Sequence, residues 1–111
     1  MIKSNLILCC FIIFTNYLFA QQDNVFLKRE YWKEKPTLEK VKEDFRKGNS
    51  LSELDEHDFD AAGWAILENT QNEIIKFIIQ QEGNDVNKLT HDGRTYIFWA
   101  AYKNNLELMN Y

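Results

Sequence analysis

The chain has two cysteines, one proline, four glycines and two histidines in 111 residues. Both cysteines, Cys9 and Cys10, lie in an apolar N-terminal stretch. Once that stretch is removed, no disulfide, thiol nucleophile or thiolate metal site is available, and packing alone must hold the chain together. No glycine-rich phosphate loop and no Gly-x-Ser-x-Gly elbow occurs. Basic residues are in the minority, 13 Lys and Arg against 17 Asp and Glu, for a formal net charge of −4. That balance supplies no basic field of the kind that holds nucleic acid. No strand of convincing length is readable either. The composition, 45% apolar and 27% charged, is that of a globular chain, so the remainder is read as folded.

The first twenty residues have the layout of a secretory signal: Lys3, an unbroken apolar run from Leu6 to Phe14, a break at Asn16 and Tyr17, and Ala20 before Gln21-Gln22-Asp23. Cleavage is expected after Ala20. The run is too short to span a bilayer, which takes roughly 20 apolar residues, and this argues against an uncleaved anchor. Lipidation is not expected, because no small residue precedes the cysteines. Removing Lys3 leaves 12 basic against 17 acidic residues, a charge of −5.

In the mature chain, Val25-Phe26-Leu27 and Tyr31-Trp32 recur at helical spacing and predict a first helix. Pro36 ends it or opens the next. Leu38, Val41 and Phe45 predict an amphipathic helix stopped by Gly48. Residues 49–60 read as an acidic loop. Ala61 to Asn69 predicts a short helix, and Asn72 to Gln81 a longer one with Ile74, Ile75, Ile78 and Ile79 stacked and Gly83 closing it. Residues 84–93 form the next loop, with Asp92-Gly93 as a turn. Thr95 to Lys103 and the segment from Leu106 repeat the short and long helices. The chain stops in mid-helix at Tyr111, which predicts either a fragment or a face covered by a partner.

These last segments echo each other at 34 residues. His57-Asp58 returns as His91-Asp92, Ala61 aligns with Thr95, and Asn72-Glu73-Ile74-Ile75 aligns with Leu106-Glu107-Leu108-Met109. Gly93-Arg94-Thr95-Tyr96-Ile97-Phe98-Trp99-Ala100-Ala101, with Asn105-Leu106-Glu107-Leu108-Met109 after it and Gly83-Asn84-Asp85-Val86-Asn87 before it, resembles the ankyrin repeat family, whose period is about 33 residues. The proline and histidine of the family's Thr-Pro-Leu-His positions are here Tyr96 and Phe98. In the earlier unit those positions fall on Ala61, Ala62, Gly63 and Trp64. The resemblance implies an all-α fold: an ankyrin-type helix-turn-helix repeat solenoid with hairpin loops, about two and a half repeats, after a signal peptide at 1–20. Residues 24–56 would be a degenerate capping unit, 57–90 a first repeat and 91–111 a second, truncated one within a repeat region 21–111. Ala100 and Ala101 would let a neighbouring helix approach closely. So few repeats predict marginal stability and further repeats beyond Tyr111. The replaced motif positions of the first unit make it atypical, which predicts fraying first in residues 61–69.

Chemistry has few candidates. His57-Asp58 and His91-Asp92 pair an imidazole with a carboxylate, as divalent metal sites do, but as one loop position seen twice they are expected to sit side by side on a hairpin edge. Asp55, Glu56, Asp58 and Asp60 form an acidic cluster whose spacing does not follow a calcium loop. No catalytic residue, metal or cofactor is assigned, and the chain is read as a non-enzyme. In ankyrin-like proteins the partner surface is the hairpin tips plus the exposed face of the first helix. By position, the resemblance implies His57, Asp58, Asp60, Glu68 and Asn69 in one unit, and His91, Asp92, Arg94, Tyr102 and Lys103 in the next. The first set is mostly acidic, which favours a protein partner with a basic or polar groove. The functional expectation is a non-catalytic protein-binding scaffold exported to a bacterial periplasm, with neither nucleic acid nor, after cleavage, membrane as partner, and monomeric or extended by repeats. The alternative is the N-terminal recognition region of a longer exported enzyme or toxin/immunity-type protein.

Overall fold

A computed structural model describes residues 23–111, and the leader expected over 1–20 lies outside them. The described residues are all-helical. Six α-helices follow in order: α1 (Arg29–Lys33), α2 (Leu38–Arg46), α3 (Ala61–Leu67), α4 (Asn72–Ile79), α5 (Tyr96–Tyr102) and α6 (Leu106–Met109). Single 3₁₀ turns lie at Val25–Leu27 and His91–Gly93.

Local chemistry sets the boundaries. Thr37 caps α2 by accepting from the Lys40 N–H, Asp60 caps α3 through the Gly63 N–H, and Asn105 caps α6 through the Leu108 N–H. The helices α2, α3 and α5 share one ending. At each, the second residue beyond the helix turns left-handed, and the residue after it donates back to the helix: Asn49 to the Asp44 carbonyl, Thr70 to Ala65 and Asn105 to Ala100. Glycine takes the left-handed position at Gly48 (φ 102°), and asparagine takes it at Asn69 and Asn104 (φ 56° each), where its short polar side chain tolerates the conformation.

The single N-terminal helix expected over 25–32 is instead two pieces, because Lys28 is extended (φ −92°, ψ 116°). The break leaves the Phe26 carbonyl free to accept the Trp32 indole N–H at 2.9 Å. Phe26, Tyr31 and Trp32 then close into one aromatic cluster, with ring centroids 5.0–5.9 Å apart.

The first helices form one row, α1 against α3 and α3 against α5, and the second helices another, α2 against α4 and α4 against α6. The buried residues merge into one core along both rows: Trp32 and Val41 at one end, Ala61, Ala65, Ile74 and Ile78 in the middle, Trp99, Ala100 and Leu108 at the other. Of the two alanines expected at a close helix approach, Ala100 is buried and Ala101 is exposed.

The 34-residue echo holds at the loop tips and for the start of the second helices, Asp58 with Asp92 and Asn72 with Leu106. Between them the first helices are offset by 35: cap Asp60 matches Thr95, and terminal Asn69 matches Asn104. Ala61 therefore corresponds to Tyr96, Trp64 to Trp99 and Ala65 to Ala100.

The placement of α3 also reverses the expectation that residues 61–69 fray first. This helix is covered by α1 and α5 and buries five of its seven residues, whereas α5 leaves Ile97, Phe98, Ala101 and Tyr102 exposed. Amides of α3 should exchange more slowly than those of α5. Hydrogen exchange giving faster exchange in α3 would restore the weaker role to that unit.

Candidate functional site

The cluster that most resembles a reaction centre is buried. Asp60 has 0% exposure, which removes it from the partner-contacting set expected from sequence. Its Oδ1 caps α3, while Oδ2 accepts from Lys88 Nζ at 2.7 Å and from the Tyr96 hydroxyl at 2.5 Å. Lys88 Nζ also donates to Asn84 Oδ1 at 2.8 Å and to the Ser52 carbonyl at 2.7 Å, so all three ammonium hydrogens are engaged. Asn84 in turn donates to the Leu51 and Ile78 carbonyls. Burial and the Asp60 carboxylate push the Tyr96 phenol well above its ordinary range, keeping it a hydrogen-bond donor. The ammonium and phenol hydrogens and both carboxylate oxygens all have partners within the protein. The group ties the 51–60 loop, the 84–90 loop and α5 together.

The edge formed by the 55–60 and 90–94 loops is built as a stack. Asp55 Oδ1 accepts from the N–H groups of His57 and Phe59, and its Oδ2 accepts from the Trp64 indole at 3.0 Å. Phe59 thereby lies between Trp64 and His91, with centroids 4.2 Å and 4.4 Å away. His91 Nδ1 donates to the His57 carbonyl at 2.7 Å, and Nε2 lies 3.3 Å from Asp92 Oδ2. The His57-Asp58 and His91-Asp92 loops are thus adjacent, but the His57 side chain faces Glu56 at 3.6 Å. Asp58 and Asp92 are exposed at the tips. No group of three or more His, Cys, Asp or Glu that could hold a metal ion forms among the described residues.

Glu68 is also used internally. Its Oε1 accepts from Arg29 Nε at 2.5 Å, and its carbonyl from Lys35 Nζ, joining the end of α3 to the first residue of α1 and to the turn after that helix. The Arg29 bond holds the Glu68 carboxyl below its usual range. A depressed folded-state pKa contributes stability above the unfolded value, about 4.3, and loses it as pH falls through the folded value. Glu68→Gln should therefore flatten the fall in urea midpoint below about pH 4.5. An acid limb as steep as that of the parent would show that Arg29 does not hold Glu68 this way. Neighbouring Asn69 is exposed but serves as the left-handed end of α3.

Besides the exposed tip residues His57, Asp58 and Asp92, the expected residues that remain available are Arg94, Tyr102 and the half-buried Lys103. The Arg94 guanidinium lies 4.3 Å from the Phe98 ring centroid and 5.7 Å from that of Trp99. Trp99 is anchored by its indole N–H on Thr90 Oγ1 at 2.8 Å, and Phe98 and Tyr102 meet it edge-on at 5.2 Å and 6.3 Å. Tyr102 is 70% exposed and Phe98 39%. With Phe59, Trp64 and His91 they make one ribbon of rings along the first-helix row, carrying Arg29 over Trp64 at one end and Arg94 over Phe98 at the other. Sequence reasoning missed Phe59, and it weighed Phe98 with Trp64, Tyr96, Trp99 and Tyr102 as an aromatic strip but favoured packing for it. The available signal for Phe98 was spacing, since Arg94, Phe98 and Tyr102 recur every four residues. Phe59 had none, because its place depends on the fold of the loop.

A cavity of about 200 Å³ opens between α5, α6 and the preceding loop, lined mainly by apolar groups including Ile79, Val86, Ile97 and Leu108. It presents no pair of acid and base. No helix among the described residues is long and apolar enough to cross a membrane. Compared with family models, curated proteins and solved structures, the chain has no match.

Proposed function

We propose that this chain is a non-catalytic protein-binding scaffold of the ankyrin repeat type, exported by its N-terminal signal. In this reading α1 and α2 form the degenerate unit 24–56, α3 and α4 the repeat 57–90, and α5 and α6 the repeat 91–111. Support comes from the two helix rows, the shared helix endings and the loop-to-loop bond from His91 to His57. The observation that carries the function is the ribbon of rings on the first-helix row. Its inner members are fixed by indole hydrogen bonds, while Phe98 and Tyr102 remain in water beside Arg94. Rigid aromatic groups next to an arginine are the side chains that dominate protein interfaces. The reading needs no metal, cofactor or proton transfer.

A photo-crosslinking residue placed at Tyr102, and separately at exposed Arg46 on α2, tests it in the source cell. A discrete protein adduct from position 102 that disappears on Phe98→Ala is expected, with none from position 46. Equal labelling from both positions, or none from 102, would reject this face as the binding surface.

A further inference from the structure

Folding removes half of the acidic groups expected on the partner-facing surface. Asp60 is buried on Lys88, Glu68 is paired with Arg29, and both Asp55 oxygens are taken by backbone N–H groups and an indole. The tip carboxylates Asp58 and Asp92 remain exposed, Asp92 beside His91. On α5 and its flanks the balance is opposite. Arg94 and Lys103 bracket the stripe Phe98–Tyr102, and neither has a carboxylate within ion-pair distance among the described residues, whereas Glu107 nearby is taken by Lys76 at 2.9 Å and by Asn72. Arg94 lies over ring faces, and its planar fork matches a carboxylate bidentately.

Resting on the reading of this face as a binding surface, we propose that the Arg94–Phe98–Tyr102–Lys103 stripe receives an acidic segment of a protein partner, its carboxylates on Arg94 and Lys103 and an apolar side chain on the Phe98 and Tyr102 rings. This reverses the partner charge expected from sequence. The stripe has aromatic groups in water for the apolar contact and two cations for the ionic one. A basic segment would meet Arg94 and Lys103 as like charges.

The test is calorimetric titration of the purified protein with a random glutamate–tyrosine copolymer, a lysine–tyrosine copolymer and a 15-residue oligothymidylate in low salt. Binding of the acidic copolymer alone is expected. The joint variant Arg94→Glu, Lys103→Glu should weaken it at least tenfold, and Tyr102→Ala several-fold. Both charged side chains lie outside the core, and an unchanged melting curve certifies the fold. Arg94→Lys should retain more affinity than Arg94→Gln. Tighter binding of the basic copolymer or the oligonucleotide would overturn the proposal, as would acidic-copolymer affinity insensitive to the joint charge reversal. If the proposal fails while position 102 still crosslinks a protein, the binding face stands and only the partner's charge is wrong.

Discussion

Lys88→Met should destabilise the protein by about 3–5 kcal/mol, the range for removing one member of a buried ion pair. Methionine keeps most of the stem volume, so the loss isolates the ammonium. The Asp60 carboxyl would lose its ammonium partner at a site without solvent contact, holding only the Tyr96 hydroxyl and the Gly63 N–H, and Asn84 Oδ1 and the Ser52 carbonyl would lose their donor. Against a total of roughly 5–15 kcal/mol for a domain, that is a large share. The check is urea unfolding, with the midpoint lowered and the slope unchanged. Combining Lys88→Met with Asp60→Asn should recover part of the loss, since the unpartnered carboxyl is gone while an amide can still cap α3. A cost below about 1 kcal/mol for Lys88→Met, typical of an exposed pair, would mean that water reaches the cluster.

Trp32→Ala should cost a similar amount, about 3–5 kcal/mol, from lost burial and the cavity left behind. Trp32 is fully buried, stacks on Phe26 and meets Tyr31 edge-on, and its indole satisfies the Phe26 carbonyl. Because α1 packs on α3, the loss should reach beyond the N-terminal pair. Exchange of the α3 amides should speed up by the same free energy as exchange within α2. Acceleration confined to residues 23–47 would instead define that pair as a separately opening unit.

The second helices and the 61–67 and 96–102 segments were legible because their apolar spacing is helical and their boundaries carry caps or glycines. Other features depend on distant partners. Asp60 sits among acidic neighbours and reads as solvated; only the fold brings Lys88, 28 positions later, onto it. The 35-residue offset of the first helices was hidden by two compensating changes. One residue, Phe59, separates Asp58 from the cap Asp60, where Gly93 and Arg94 separate Asp92 from Thr95. Two residues then lead from Asn69 to α4, where Asn105 alone leads from Asn104 to α6. The period is restored on either side, so alignment by period pairs Ala61 with Thr95 and misses the Trp64–Trp99 match. The split of the N-terminal helix was likewise invisible, because nothing in 25–32 marks Lys28 as the break; the Trp32 indole selects it. Of the expected surface, the cations and Tyr102 were readable by position, while the internal use of Glu68 and Asp60 was not.

The three tryptophans fall one to each first helix: Trp32 in α1, Trp64 in α3 and Trp99 in α5. Each indole hydrogen bonds to a different acceptor, the Phe26 carbonyl, the Asp55 carboxylate and the Thr90 hydroxyl. The molecule therefore carries its own set of optical reporters, one per layer. A set of variants that each keep a single tryptophan turns the emission spectrum into a layer-by-layer record of melting. Partner engagement should be felt most strongly at Trp99, less at Trp64 and least at Trp32.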